Sequence, residues 1–362
     1  LGTSKRPGHG LFARTALAMH MSPTSSAKDI MSSYLTRKEK PIPPVLIKTG
    51  PCKENIDLGD AVDVLKFPIP LIHGGDGGRY IGTWHTVITK DPDSSWVNWG
   101  MYRLMVHDRN TLGCLFPMQQ HIGQMYQKYE AMNKPMPVAV AIGGQPVIPL
   151  VSCVMLPPYV NEVEIAGALQ GSPIPLVKCE TVDLEVPASA EIILEGEIPP
   201  KVREQEGPFS EFQDYYLTGA GMNPIVNIKA VTMRHDAIFK NVQNGTEVEG
   251  CVYHKVPMSA QILRRIRTVG GFADVKNVLV LPGIFGVVVQ MNPPYYGEAR
   301  NVLLSVLSSE YQHPKVAIAV DEDVDIFNYA EVLWAISTRV NPEHDIVVIP
   351  GAKIHAMDPS CP

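Results

Sequence analysis

Residues 80 to 106, YIGTWHTVITKDPDSSWVNWGMYRLMV, contain two strand-like runs with a turn between them. The runs at 80 to 89 and 96 to 106 are rich in β-branched and aromatic residues, which favour strands. The segment that separates them, KDPDSS, consists of residue types that favour turns. The stretch therefore predicts short strands with short connections, the pattern of β structure that closes on itself.

The same pattern continues along the first two thirds of the chain. Further strand-like runs, each bounded by Gly, Pro, Asp or Asn, lie at 138–142, 147–154, 191–197 and 225–233. One helix interrupts them and is predicted to open near His121, because Ile122, Met125, Tyr126 and Tyr129 recur at helical spacing. Residues 45–235 are therefore expected to form one β domain.

Beyond residue 236 the pattern changes to alternating helices and strands. Ser259 is the predicted N-cap of a helix that stops at Gly270-Gly271. Strands at 278–281, 287–291, 315–320 and 345–349 alternate with helices at 298–310 and 328–338. Residues 236–362 are therefore expected to form an α/β layered domain, and residues 1–44 a helical lead-in. The predicted fold class is mixed, α/β in the broad sense or α+β.

Composition excludes several classes of function. A chain of 362 residues with 45% apolar and 19% charged residues is typical of a folded, soluble protein. Its 31 basic and 37 acidic residues form no long basic run, so we expect no nucleic-acid partner. Apolar runs are of strand length, which predicts no membrane span. The 6 cysteines form no Cys-x-x-Cys pair, which favours reduced thiols in the cytoplasm.

The segment EQEGPFSEFQ, residues 204–213, places Glu206 and Glu211 on either side of a Gly207-Pro208 turn. Two carboxylates held this close in a dry pocket cannot both ionise cheaply. One is expected to keep its proton as a general acid, while the other stays charged and holds a cation such as an arginine. A solvated acidic turn is the alternative. The apolar Pro-Phe insert favours the buried pair.

Other candidates are ambiguous when taken one at a time. The glycine-rich segment 73–79, HGGDGGR, lacks the Gly-Lys-Ser/Thr ending of a phosphate loop, so a hairpin is favoured. Asn98 lies in a strand-like run although asparagine is a poor strand former. His121 and Glu162 suit local structural roles as well as they suit ligands. Spacings of 23 and 41 residues along Asn98, His121 and Glu162 match no metal motif.

Taken together, short blocks along the whole chain resemble one family. The blocks are TGPCKEN (49–55), DGGRYI (76–81), NWGMYR (98–103), MVHDRN (105–110), QHI (120–122), GAL (167–169), LVKC (176–179), EGPF (206–209), LWA (333–335) and STR (337–339). Their order and spacing are similar to those of the UbiD family of prenylated-FMN-dependent decarboxylases, which act on ferulic, aryl and heteroaryl acids. The resemblance implies a split β-barrel domain that binds the flavin, followed by an α/β domain used for oligomerisation.

The resemblance also implies cofactors and their ligands. Asn98, His121 and Glu162 would hold Mn²⁺ at the cofactor phosphate, and K⁺ would lie near the backbone carbonyls of Trp99, Val151 and Val154, with Glu162. The residues that line prenylated FMN would be Thr83, Asn98, Trp99, Gly100, Met101, Arg103, Gln120, His121, Ser152, Cys153 and Glu162. A flavin prenyltransferase would supply the cofactor, and the chain would form a homo-oligomer, a dimer or higher. Family members continue beyond both ends of this sequence, so we expect it to be a trimmed chain.

By the same resemblance, Arg103, Glu206 and Glu211 form the catalytic set. The implied reaction is the reversible, non-oxidative decarboxylation of an aromatic, heteroaromatic or α,β-unsaturated acid through a covalent adduct with prenylated FMN. Arg103 would orient the substrate carboxylate and Glu211 would protonate the product carbon. Two alternatives remain at this point. An FMN-dependent reductase on the same barrel would give the three residues no role, and a non-catalytic flavin- or metal-binding subunit would not need them.

Overall fold

A computed structural model describes residues 9–245, 250–268, 271, 274–352 and 355–360. It divides into two compact units. The first, called the barrel unit here, comprises Ala18–His20 and Arg37–Gly245. The second unit contains the described residues of 1–17, 21–36 and 246–362. No helix among the described residues is long and apolar enough to cross a membrane.

The chain carries short strands through the barrel unit and longer helices after it. In chain order the strands are β1 Val45–Leu46, β2 Asn55–Leu58, β3 Tyr80–Gly82, β4 His85–Lys90, β5 Val97–Gly100, β6 Leu104–Val106, β7 Thr111–Cys114, β8 Met136–Ile142, β9 Pro175–Lys178, β10 Glu185–Pro187, β11 Ile192–Ile198, β12 Arg203–Glu206, β13 Gly221–Met233, β14 Val275–Val280, β15 Gly286–Met291 and β16 Val316–Val320. The α-helices are α1 Ala13–Ala18, α2 Ala27–Lys38, α3 His121–Ala131, α4 Val147–Ser152, α5 Glu162–Gln170, α6 Gly250–Thr268, α7 Glu298–Leu307, α8 Tyr329–Arg339 and α9 Pro342–Asp345.

One large sheet dominates the barrel unit. Among the described residues it has ten strands, with the order β3-β6-β7-β13-β11-β8-β4-β5, and β2 and β12 also pair with β13. Neighbours along this order are antiparallel. The sheet curls into a half barrel, so the predicted fold class, a split β-barrel followed by an α/β unit, is confirmed. A smaller sheet joins β1, β9 and β10.

The core of the barrel unit follows from alternation along its strands. On β8, Met136, Val138, Val140 and Ile142 belong to one hydrophobic cluster, because side chains two residues apart point to the same face of a strand. The run at 147–154, predicted as a strand, is instead helix α4 in its first six residues. That prediction was wrong because a short apolar run that is buried all round has the same pattern in a helix and in a strand.

In the second unit, β14 pairs antiparallel with β15, and β15 pairs parallel with β16. The predicted helix that starts at Ser259 begins earlier, at Gly250, and Ser259 lies inside it. Its hydroxyl accepts a hydrogen bond from the Val280 backbone N–H at 2.9 Å, so the serine connects α6 to β14 rather than capping the helix. The predicted stop at Gly270 lies outside the described residues.

The run at 345–349 was also predicted as a strand, and this prediction was wrong. Helix α9 ends at Asp345, and the next four residues are exposed and belong to no strand in the part of the chain that the structure describes. Their β-branched side chains favour a strand, but a strand also requires a neighbour to complete its backbone hydrogen bonds.

Candidate active site

Arg103 lies in the connection between β5 and β6. The β4–β5 ladder ends with Gly100 opposite Val87. A Cβ at Gly100 would lie 2.4 Å from the ring of Tyr102, so any other residue here would require this buried ring to shift. Arg103 follows this ring in the chain, and its side chain is 9% exposed.

Glu206 ends strand β12 and pairs in register with Gly221 of β13. Its side chain is fully buried, and both carboxylate oxygens accept hydrogen bonds. Arg103 donates through Nε to Oε1 at 2.9 Å and through Nη2 to Oε2 at 2.7 Å, a bidentate pair. Tyr80 donates its hydroxyl to Oε1 at 2.8 Å, and Asn223 donates Nδ2 to Oε2 at 3.2 Å. These donors fix the carboxylate in position.

Glu211 lies on the segment that follows the cis Gly207-Pro208 bond. Arg103 donates its Nη1 to Oε1 of Glu211, so one guanidinium bridges both glutamates. Burial raises the pKa of Glu211, the charge and hydrogen bond of Arg103 lower it, and the charge of Glu206 raises it, with a net result above the usual range. The two carboxylates therefore form a buried cluster and not a solvated turn.

An apolar wall lies against this cluster. The rings of Tyr80 and Phe209 have centroids 4.1 Å apart, and the guanidinium carbon of Arg103 lies 5.4 Å from the centroid of Phe209. Burial alone would lower the pKa of Arg103, but its bonds to Glu206 and the charge of Glu211 raise it. The guanidinium thus stays charged in surroundings of low polarity, where its interactions with carboxylates are strong.

The three predicted manganese ligands come from three elements that meet beside β5. Asn98 lies on β5, His121 is the first residue of α3, and Glu162 is the first residue of α5. Glu162 Oε2 accepts the backbone N–H of Trp99, the neighbour of Asn98, at 2.9 Å. The Tyr102 hydroxyl bonds to Nδ2 of Asn98 at 3.4 Å and to the backbone of Ile122, the neighbour of His121.

The chemistry of this set suits a divalent cation. Glu162 is 2% exposed, and burial raises its pKa to about 8. Within the described residues, no lysine or arginine lies at ion-pair distance from its carboxylate. Burial lowers the pKa of His121, which favours the neutral imidazole that a metal needs. The described residues contain no group of three His, Cys, Asp or Glu placed to hold a metal, but the predicted set includes an asparagine.

The predicted flavin-lining residues lie around the edge formed by β4 and β5. Thr83 precedes β4 and its hydroxyl accepts the Val242 backbone N–H at 3.0 Å. Ser152, at the end of α4, shares a hydrogen bond of 2.8 Å with Thr86 of β4. The others lie nearby in sequence or on the adjoining elements: Trp99 and Gly100 on β5, Met101 after it, Gln120 before α3 and Cys153 after α4.

Two of the predicted potassium ligands, the carbonyls of Val151 and Val154, lie at the C-terminal end of α4. Val151 lies in the last turn of this helix, and its carbonyl accepts the Val154 backbone N–H at 3.3 Å. The Cys153 backbone N–H also donates to this carbonyl, so within the described residues the Val151 oxygen already has two partners. Glu162 opens α5, which packs against α4.

Sequence reasoning gave no role to two residues that bond Glu206. Tyr80 is a fully buried aromatic residue at the start of a strand, a pattern that predicts core packing. Asn223 lies in β13, where its pairing opposite Glu204 could not be foreseen without the sheet register. Tyr80 falls inside the block DGGRYI that carries the family resemblance, and this was the one signal available for it.

Two solved structures of one class of enzyme superimpose closely on this chain. The UbiD-class enzyme HmfF from Pelotomaculum thermopropionicum in complex with FMN superimposes with a TM-score of 0.89 and 35% identity, covering 96% of this chain and 76% of that one. An evolved dimeric form of HmfF in complex with prFMN gives a TM-score of 0.88 and 34% identity, covering 94% and 78%.

Two family models cover most of the chain. The model of the 3-octaprenyl-4-hydroxybenzoate carboxy-lyase Rift-related domain matches residues 44–247, and that of the corresponding C-terminal domain matches residues 251–362. A phenolic acid decarboxylase of Sedimentibacter hydroxybenzoicus is 36% identical over 97% of this chain and 75% of its own length. A pyrrole-2-carboxylic acid decarboxylase of Pseudomonas aeruginosa is 33% identical over 96% and 73%. The chain therefore belongs to the UbiD family of carboxy-lyases.

Proposed function

We propose that this protein decarboxylates an aromatic or heteroaromatic carboxylic acid without net oxidation, with prenylated FMN as its cofactor. The observation that carries the proposal is the buried cluster in which Arg103 bridges Glu206 and Glu211. Family membership supports it, since the similar proteins named above are decarboxylases of phenolic and pyrrole-2-carboxylic acids.

The three residues divide the reaction among them. Loss of CO₂ from a carboxylate leaves an electron pair on carbon, and one proton must be added to form the product. Glu211 supplies that proton, because its raised pKa keeps it protonated at a higher pH than an exposed glutamate. Arg103 orients the substrate carboxylate with its charge and with the second N–H that Nη1 and Nη2 each carry. Glu206, bonded on both oxygens, holds Arg103 in place.

Prenylated FMN, when bound, supplies an electron sink for the pair released with CO₂. We assign Asn98, His121 and Glu162 to Mn²⁺, which would offset the negative charge of the flavin phosphate. The carbonyls of Trp99, Val151 and Val154 with Glu162 are assigned to K⁺. Thr83, Gly100, Met101, Gln120, Ser152 and Cys153 complete the proposed lining of the flavin site.

A homo-oligomer, at least a dimer, and a flavin prenyltransferase are the proposed partners. Leu333 and Trp334 on α8 are 63% and 53% exposed, while Val332 and Ala335 on the same helix are buried. This outward apolar face supports contact through residues 236–362. A structure of HmfF is also named as a dimeric form. Light scattering at micromolar concentration tests the oligomer, and a monomer would refute it.

Cys52, Cys114 and Cys179 form no disulfide, which supports a reducing compartment such as the cytoplasm.

The function is tested by producing the protein together with a flavin prenyltransferase. The purified protein is assayed with vanillic, 3,4-dihydroxybenzoic and pyrrole-2-carboxylic acids, and the released cofactor is identified by its mass and visible spectrum. We expect prenylated FMN, bound manganese and release of CO₂ from at least one acid. Unmodified FMN together with NADH oxidation and no CO₂ release would instead establish a reductase. Bound cofactor with neither activity would indicate a binding subunit.

A further inference from the structure

The glycine-rich segment 73–79 has no role in the proposed reaction, yet it lies directly on the segment that carries Glu211. Gly77 donates its backbone N–H to the Pro208 carbonyl at 2.7 Å, and Gly75 donates to the Tyr216 hydroxyl at 3.1 Å. A side chain at Gly77 would lie 2.0 Å from the Gly207 carbonyl oxygen, so two backbones are in contact with no room between them. The placement of one segment therefore fixes that of the other.

Asp76 is the charged residue of this contact. Its side chain is fully buried, and its two carboxylate oxygens accept from different parts of the chain. Oδ2 accepts the His73 backbone N–H at 2.9 Å, which closes its own loop. Oδ1 accepts the backbone N–H of Ser210 at 3.0 Å, across 134 positions of sequence. Ser210 immediately precedes Glu211, so the second bond holds the backbone from which the proposed proton donor extends.

We propose that Asp76 is a positioning residue for Glu211, which it holds against Arg103 through the Ser210 amide. This inference rests on the proposed function and names a residue that acts through the proton donor without touching the substrate. A loop-closing role would need only the bond to His73. The bond to Ser210 adds nothing to the fold of segment 73–79 itself, but it sets the distance between Glu211 and the guanidinium of Arg103.

Asp76 also contributes charge. The charged groups that face Glu211 are Arg103, from the turn between β5 and β6, Glu206, from β12, and Asp76, from segment 73–79. Arg103 lowers the pKa of Glu211, whereas Glu206 and Asp76 raise it. Asp76 therefore favours the protonated form of Glu211 as well as holding it in position. Replacing Asp76 by asparagine removes the charge and one acceptor while keeping the shape.

The experiment compares Asp76→Asn, Tyr216→Phe, Glu211→Gln and the double variant Asp76→Asn/Glu211→Gln in the holoenzyme. Asp183→Asn is the matched control, because the side chain of Asp183 is 94% exposed and its carboxylate pairs with Lys90 at the surface. Turnover is measured on whichever acid of the panel above reacts fastest. Hydrogen–deuterium exchange of the peptide 207–216 is measured on the same proteins and does not depend on activity.

We expect Asp76→Asn to lower kcat by about 100-fold with little change in KM, because a misplaced proton donor slows the chemical step and not binding. The alkaline limb of its pH profile should move to lower pH, since a general acid with a lowered pKa loses its proton earlier as pH rises. Tyr216→Phe should lower kcat less than Asp76→Asn does. It should leave the alkaline limb of the pH profile unchanged, because no charge is removed. Exchange at peptide 207–216 should accelerate by about tenfold in Asp76→Asn.

The double variant separates positioning from general stability. If Asp76 acts through Glu211, adding Asp76→Asn to Glu211→Gln causes no further loss of kcat. An equal loss in both backgrounds, or unchanged exchange at peptide 207–216 in Asp76→Asn, would overturn the inference. Failure of the proposed function is distinct from this, because wild-type protein would then release no CO₂ from any acid. In that case the exchange measurement alone decides whether Asp76 holds the segment.

Discussion

The barrel unit buries two clusters of polar side chains that differ in how their charge is balanced. In the cluster of Arg103, Glu206 and Glu211, the cation is part of the chain and bridges both carboxylates. The second cluster is the proposed set of metal ligands Asn98, His121 and Glu162; its carboxylate is as deeply buried, but no lysine or arginine among the described residues pairs with it. Its recorded partner is the backbone N–H of Trp99.

This difference indicates whether each cluster needs a bound cation to balance its charge. A carboxylate held by an arginine, a tyrosine and an asparagine keeps its geometry without a ligand, as electrostatic preorganisation requires. A buried carboxylate that no cation of the chain faces is costly to ionise, and a bound cation would offset this cost. We therefore expect substitutions in the first cluster to affect chemistry while cofactor binding survives, and substitutions in the second to affect cofactor binding first.

The largest effect expected is that of Glu211→Gln on turnover. An amide fills the same volume and keeps an acceptor for Arg103, but it cannot supply a proton of suitable acidity. We expect kcat to fall by about 10³-fold while flavin and manganese contents stay at wild-type values. The measurement is CO₂ release together with exchange of the product's ring hydrogen with deuterated solvent.

Glu204→Gln is the control for this variant, because Glu204 lies on β12, the strand that ends at Glu206, and bonds His107 instead of Arg103. It should exchange the ring hydrogen at the wild-type rate. If the Glu211→Gln holoenzyme also exchanges that hydrogen at the wild-type rate, Glu211 is not the proton donor. The proposed role of the first cluster in the chemical step would then be wrong.

The next effect is on cofactor retention. Glu162→Ala and His121→Ala each remove one of the three proposed manganese ligands, and we expect manganese affinity to fall by more than about 100-fold, since loss of even an indirect partner of a metal lowers affinity by up to that amount. Flavin should be lost with the metal during gel filtration. Metal analysis and flavin absorbance give the two occupancies. Glu164→Ala, in the same helical turn, is the control, and wild-type occupancy in both test variants would contradict the assignment.

The sequence supported these two clusters to different degrees. The segment EQEGPFSEFQ predicts a buried pair from its own chemistry, because two carboxylates flank an apolar insert. The sequence of this segment could not identify Arg103, the arginine that bonds both carboxylates. Arg103 lies 103 positions from Glu206, and only the folded sheet brings the two residues together. Nothing in the spacing of Asn98, His121 and Glu162 joins them, and the family resemblance alone grouped them.

The same limit explains which elements were predicted well. Helix α3 follows a clear period of 3.6 residues and begins at His121, where its pattern predicts. Strand β8 is apolar along its whole length, and its shortness and flanking turn residues predicted it instead of a period. The residues of α4 are buried on all sides, and a uniformly apolar run carries no period. Periodicity therefore located α3, whereas the type of a uniformly apolar run (strand for β8, helix for α4) and the contacts between distant strands depend on the folded chain.

A smaller effect is expected for Glu206→Gln, and it tests whether the first cluster acts as one electrostatic unit. The charge of Glu206 raises the pKa of Glu211, so its removal lowers that pKa. On the proposed mechanism, activity requires protonated Glu211 and is lost as pH rises through its pKa, so the alkaline limb of the pH–rate profile should move to lower pH. At neutral pH we expect kcat to fall by about tenfold, because less Glu211 is protonated and Arg103 loses a partner. An unchanged limb would show that Glu206 does not influence the protonation of Glu211.

The smallest effect concerns the stability of the metal-free protein and compares the clusters directly. In Glu206→Gln, Arg103 loses one charged partner, and we expect the free energy of unfolding to fall by about 2 kcal/mol. In Glu162→Gln, the amide oxygen still accepts the Trp99 N–H and no cation loses a partner, so the change should stay within about 1 kcal/mol. Urea titration after treatment with a chelator measures both.

Adding Mn²⁺ should then stabilise the wild type and Glu206→Gln, because a ligand that binds only the folded state shifts the equilibrium towards it. Glu162→Gln should gain less. If the metal-free protein loses as much stability from Glu162→Gln as from Glu206→Gln, the carboxylate of Glu162 has a partner within the chain, and the contrast between the two clusters does not hold.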